Sequence, residues 1–146
     1  MRIELLSNQF DPYTELATHQ GSLQREQSGQ LGANAIFIGS MRDFNEGEVV
    51  RSMFLEHYPG MTEKYLHSMA EQAVMEWKLL DILLLHRIGN VLPDDPIVLV
   101  AVWSAHRQAA FDACRQIMET LKSKAPFWKK EVLNGGQRWV EKNTPA

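Results

Sequence analysis

Four lysines, Lys122, Lys124, Lys129 and Lys130, crowd around Ala125-Pro126-Phe127-Trp128 in a chain whose formal net charge is −3. Ammonium groups held close together raise the cost of each other's charge, so one of them can titrate low enough to serve as an acid, base or nucleophile. A solvated cluster closing a helix, with Phe127 and Trp128 tucked into the core, is the plainer alternative and spacing leaves it open. His106 and Arg107 form a second cationic pair. They follow an apolar run and open a helical pattern, where free backbone N–H groups beside a cationic side chain make a cradle for phosphate or carboxylate. A surface pair bonding an acidic neighbour would read the same way. Arg42 stands in a turn-rich loop and reads equally well as a surface residue. The segment Gly39-Ser40-Met41-Arg42 is too short and too poor in glycine for a phosphate loop.

Other reactive types offer less. Cys114 is the only cysteine, so neither an internal disulfide nor a cysteine zinc cage can form. It falls mid-helix on an apolar face, where a thiol behaves as a small hydrophobe. His19, His57, His67 and His86 share no ligand spacing with one another or with Cys114, and no metal site is expected. The net charge argues against a general nucleic-acid binder. No apolar run approaches a membrane span and the first residues lack a signal-peptide core, which together with the cysteine usage points to the cytosol.

The elements that must position these groups can be read in order. With 146 residues the chain is expected to form one domain over residues 1–146. Residues 2–6 suit a first strand, and Asp11-Pro12 caps and opens a short helix to about His19, followed by a polar loop over 21–30. Residues 32–41 read as a buried strand, with Gly39 a bulge or close backbone approach, and 49–57 as its hairpin return. Thr62 is the expected cap of a helix over 63–77. Two apolar strands, 81–88 and 97–103, are candidates for the sheet centre. A long amphipathic helix follows, its apolar face running through Ala105, Ala109, Phe111, Ala113, Cys114, Ile117, Met118 and Leu121. Strands at 128–133 and 138–140 close the chain around an Asn-Gly turn. The pattern predicts an α+β fold with a largely antiparallel sheet covered by helices on one side.

His106 and Lys122 lie 16 residues apart, about 24 Å along one straight helix at roughly 1.5 Å per residue. Both cannot touch one small anion. Either they serve different sites, or one site is assembled from two chains; a homodimer that pairs one chain's helix start with the other's lysines satisfies the second case.

Four blocks in register carry a resemblance: Leu55-Glu56-His57-Tyr58-Pro59-Gly60-Met61-Thr62, His86-Arg87-Ile88-Gly89, Ser104-Ala105-His106-Arg107, and Lys122 with Lys124-Ala125-Pro126-Phe127-Trp128-Lys129-Lys130-Glu131. Over about residues 32–141 the chain resembles the molybdopterin synthase catalytic (large) subunit family. The resemblance implies an α/β hammerhead with an additional antiparallel β-subdomain. It also implies a sulfurtransferase of molybdenum cofactor biosynthesis, working as a homodimer within a heterotetramer. The partner would be a small ubiquitin-like sulfur-carrier subunit, whose C-terminal Gly-Gly thiocarboxylate converts cyclic pyranopterin monophosphate to the molybdopterin dithiolene. No cofactor and no metal are implied.

Carried over by position, Lys122 and Lys129 match the family's essential lysines. Ser40, Met41, Arg42, His106, Arg107, Lys130 and Glu131 match its substrate pocket, together with the two lysines. Family members often have a basic residue where Ser40 stands and an arginine where Lys130 stands; a lysine there keeps the charge but loses the planar fork. A non-catalytic dimeric adaptor for a ubiquitin-like carrier is the alternative function, and the presence of both lysines with His106 and Arg107 argues against it.

Overall fold

In the computed structural model, which describes residues 1–141, the chain runs β1 (Arg2–Leu6), α1 (Pro12–Glu26), β2 (Ala33–Ser40), β3 (Phe44–Asn45), β4 (Glu48–His57) and α2 (Met61–Trp77). It continues through β5 (Asp81–Arg87), β6 (Gly89–Val91), β7 (Pro96–Ser104), α3 (Arg107–Ser123), β8 (Phe127–Leu133) and β9 (Gly136–Trp139). The strands make two sheets. One has the order β1-β5-β7-β2; the other runs β3-β4-β8-β9, with β6 also paired to β4.

The first sheet is the core. Every residue of β5 is buried and so are the last seven of β7, which gives these strands the continuous apolar runs of a sheet covered on both faces. Leu84, Val100 and Val102 pack with Leu66, Ala70 and Ala73 of α2 and with Ala113, Ile117 and Leu121 of α3. On the opposite face Leu83, Leu85, Leu99 and Trp103 pack with Leu16 and Leu23 of α1. The fold is α+β, with the added antiparallel sheet that the hammerhead and β-subdomain description requires. Among the described residues, no helix is long and apolar enough to cross a membrane.

Several sequence expectations need correction. Helices cover both faces of the first sheet rather than one; the sheets are largely antiparallel as expected, with β1 and β5 a parallel pair. Helix α1 continues past Gly21 to Glu26. An internal glycine costs only about 1 kcal/mol relative to alanine, and Leu23, almost fully buried under the sheet, outweighs it. The expected hairpin of β2 with β4 does not form: β2 pairs with β7, whereas β4 pairs with β3, β6 and β8. Gly60, at φ +84°, caps α2 in place of Thr62, and its N–H donates to the Glu63 carboxylate at 2.6 Å.

On α3 the buried stripe is Ala110, Ala113, Cys114, Ile117, Met118 and Leu121, while Phe111 is 68% exposed and Ala105 lies outside the helix. The bulge at Gly39 is present, with the pairing of β2 to β7 slipping between Gly39 and Ser40. A side chain on Gly39 would press on Val98 and Phe37 at about 3 Å.

Candidate functional site

Lys122 is placed by the last turn of α3. Leu121 anchors that turn in the core, and the Thr120 carbonyl accepts from both the Lys124 and Ala125 N–H groups at 2.9 and 3.2 Å, closing the helix. Pro126 has no N–H to continue it. The chain therefore leaves at once as β8, in which alternate side chains share a face. Phe127, Lys129 and Glu131 face the core side; Trp128 and Lys130 face away. One turn of helix and three residues of strand thus bring Lys122 and Lys129 to the walls of the same two hollows.

The lysines stand between two neighbouring hollows. A cavity of about 110 Å³ is walled by Phe37, His86, Val98, Met118 and Phe127, with Lys122 and Lys129 at its rim. A second hollow of about 80 Å³ is lined by Met41, Arg42, Asn45 and Glu131 together with both lysines. Ser40, Ile97 and Val140 line both. The first lobe is apolar and suits a ring; the second is lined by charge.

Burial, and then the charge of Lys122, push the Lys129 amine down to about 8, while Glu131 opposes the shift. Lys122 is also lowered, first by burial and then by Arg42. Glu131 is almost fully buried. Its carboxylate accepts from Asn45 Nδ2 at 3.2 Å and from Arg138 Nε at 2.9 Å, so its charge is held by Arg138 and shared with the lysines. Arg42 lies over the Phe44 ring, 4.7 Å from its centroid. Burial pushes the Cys114 thiol up to about 11, which makes it a poor nucleophile.

Of the residues singled out from sequence, Ser40, Met41, Arg42, Lys122, Lys129 and Glu131 converge on this cleft. Met41 is buried, and its backbone is tied to Asp94 and Asp95 by hydrogen bonds of 2.8 and 2.9 Å. Three others do not enter it. Lys130 points to the far face of β8, with its Nζ 5.6 Å from the centre of the Trp139 ring. His106 and Arg107 are exposed at the opposite end of the 17-residue α3. His106 is the N-cap and makes no side-chain cap, so the first N–H groups of that helix remain open to an anion. Sequence reasoning missed His86, Phe37, Met118, Asn45 and Arg138. For His86 a signal was available: a histidine closing an aliphatic strand run.

A family model described as MoaE protein matches residues 12–124. The chain is 52% identical over 141 residues to the molybdopterin synthase catalytic subunit of Pseudomonas aeruginosa, covering 97% of this chain and 91% of that one. Among solved structures it is similar to a molybdopterin biosynthesis MoaE protein from Burkholderia ambifaria, with TM-score 0.78, 41% identity and coverage of 99% and 92%. It is also similar to molybdopterin synthase from Staphylococcus aureus, with TM-score 0.80, 29% identity and coverage of 96% and 97%.

Proposed function

Since this chain belongs to the MoaE family of molybdopterin synthase catalytic subunits, sulfurtransferases of molybdenum cofactor biosynthesis, we propose that the Lys122–Lys129 cleft is where sulfur is delivered. The observation that carries this reading is the pairing of two partly buried amines beside Arg42, with Lys129 brought down to about 8. The donor is the C-terminal Gly-Gly thiocarboxylate of a small ubiquitin-like carrier subunit. The acceptor is cyclic pyranopterin monophosphate. The net exchange in each of two rounds puts sulfur on a pterin carbon and leaves oxygen on the carrier's terminal carbonyl.

The residue types suit that exchange. A charged lysine polarises the thiocarboxylate or protonates a departing oxygen, and a neutral one takes up a proton. Fixed cations stabilise the negative charge that develops as the cyclic phosphate opens. The apolar lobe takes the pterin ring, and Arg42 with Ser40 and Met41 flanks the phosphate. His106 and Arg107 complete the phosphate site from a second copy of the chain, and Glu131 borders it along β8. Residues 1–146 act as one catalytic domain, in the cytoplasm, as a homodimer carrying one carrier subunit at each end.

The test is incubation of the protein with cyclic pyranopterin monophosphate and thiocarboxylated carrier, following dithiolene product. Lys122→Ala is expected to lower product formation at least about a hundredfold while leaving folding and carrier binding in place. Substantial turnover by that variant would refute the role. Carrier binding by the unmodified protein with no product would return the adaptor alternative.

A further inference from the structure

A carboxylate buried beside two lysines is expected to pair with one of them, and Glu131 does not. It stands on β8 two residues after Lys129 and shares that residue's face by alternation. It lines the same hollow as both lysines and is almost fully buried. Yet among the described residues its ion pair is with Arg138, and neither Lys122 nor Lys129 is paired with any carboxylate. Arg138 lies directly opposite Glu131 in the β8–β9 ladder. Its Nε donates to the carboxylate at 2.9 Å and its Nη2 to the Asn45 carbonyl at 2.9 Å. Asn45 closes the triangle, its Nδ2 donating to the two oxygens of Glu131 at 3.3 and 3.2 Å. Nη1 reaches the exposed carboxylates of Glu46 and Glu48 at the β3–β4 turn, each at 3.6 Å. One guanidinium therefore fastens β3, β8 and β9 together, along with the turn that follows Arg42.

We propose that Arg138 is a positioning residue of the lysine cleft: with Asn45 it holds the buried Glu131 carboxylate off Lys122 and Lys129, leaving both amines to the anionic groups of the substrate. Its significance for sulfur transfer rests on the reading of the cleft given above; the hydrogen-bonded triangle does not.

Electrostatics support this division. A carboxylate in a hydrogen-bonded ion pair with Lys129 would keep that amine charged and occupied. Where it stands, Glu131 acts on Lys129 through space, and it offsets only part of the lowering that burial and the charge of Lys122 impose. The other titratable or charged groups around Lys129 are Lys122 from α3, Arg42 from the loop after β2 and His86 from β5. None of these is an acid, so among the described residues Glu131 is the one carboxylate in the lining that must be kept in place. An arginine suits the task, because its planar fork donates in fixed directions to Glu131 and Asn45 at once.

The Lys129 titration reads the arrangement on the full chain. Followed by NMR of 13C-labelled lysine and assigned with Lys129→Met, its midpoint is expected to rise by at least about half a pH unit in Arg138→Gln, as the released carboxylate turns to the ammonium. In chains that already carry Glu131→Gln, the same Arg138→Gln substitution is expected to leave the midpoint where it was, because no carboxylate remains to be released. Looser packing alone would give no rise, or a rise of the same size in both backgrounds, and either result would overturn the proposal. In the unmodified protein the Arg138 Nε–H is expected to exchange slowly with water, and to exchange faster in Glu131→Gln. If either variant does not fold, that Nε–H decides: fast exchange in the unmodified protein overturns the proposal. None of these readouts uses sulfur transfer, so an unmodified protein that forms no dithiolene would sink the functional reading alone.

Discussion

Lys129 is pulled in opposite directions by chemistry and by stability. Its amine titrates near 8 in the folded chain against an ordinary value of 10.5. Above 10.5 it is neutral whether the chain is folded or not. As pH falls from 10.5 toward 8 the unfolded chain takes up the proton first, so stability is lost across that window and stays lost at neutral pH. The penalty is on the order of 1–3 kcal/mol. Lys129→Met is therefore expected to be inactive yet more stable than the unmodified protein at pH 7, by up to that amount, with the gain fading near pH 10.5. Urea unfolding at the two pH values measures it, and a variant less stable at pH 7 would contradict the assignment of burial as the cause. This residue was only half legible in the sequence. Lysines around a proline showed that cations would gather, but the choice of Lys122 and Lys129 came from the family resemblance. Only the alternation of β8 explains why Lys130, one residue on, faces elsewhere. His86 was passed over because histidines were tested against metal spacing, a criterion blind to a ring held by a stack on Phe127 and by the Arg87 carbonyl.

At the scale of elements, the cleft depends on how α2 meets the connection from α3 to β8. Thr62 makes that join: its buried hydroxyl accepts from the Tyr58 N–H at 2.9 Å and donates to the Pro126 carbonyl at 3.1 Å. Replacement by the isosteric Thr62→Val would strand both backbone groups, and the expected loss is about 1–3 kcal/mol, read as a lower urea midpoint. Turnover should fall as well, because Phe127 and Lys129 follow directly on Pro126. Thr62→Ser keeps the hydroxyl and is expected to lie close to the unmodified protein; equal destabilisation by both variants would assign the effect to packing of the methyl group. The sequence placed this threonine at a helix start but gave it the wrong task, since its partner lies 64 residues further on. Local signals served better where the cause was local. Asp11 and Pro12 open α1 as expected, with Asp11 Oδ1 accepting from Tyr13 N at 3.0 Å. The misread hairpin is the converse case. That residues 32–41 and 49–57 would be strands was visible, but which strand each would pair with depends on distant segments that no local pattern reports.

At the scale of the molecule, the cationic groups suited to one anionic substrate lie at two ends of one helix, about 24 Å apart by the rise of an α-helix of roughly 1.5 Å per residue. The cleft at the C-terminal end holds both lysines and Arg42; the open N-terminus of α3, with His106 and Arg107, faces solvent in the single chain. If a two-fold dimer brings each helix start to the other chain's lysines, every complete site draws on both copies. Chains carrying Lys122→Ala and chains carrying Arg107→Ala would then each be inactive alone, for different reasons. Mixed after partial unfolding and refolded together, half the dimers would be heterodimers, and in each of those one site would combine an intact Lys122 with an intact Arg107. Product formation is expected to recover to about a quarter of the unmodified level by this two-fold counting, and to fall on dilution as dimers dissociate. A site contained within one chain permits no such recovery, so a refolded mixture as inactive as its components would rule out the shared site, and an Arg107→Ala chain fully active on its own would leave Arg107 outside the chemistry.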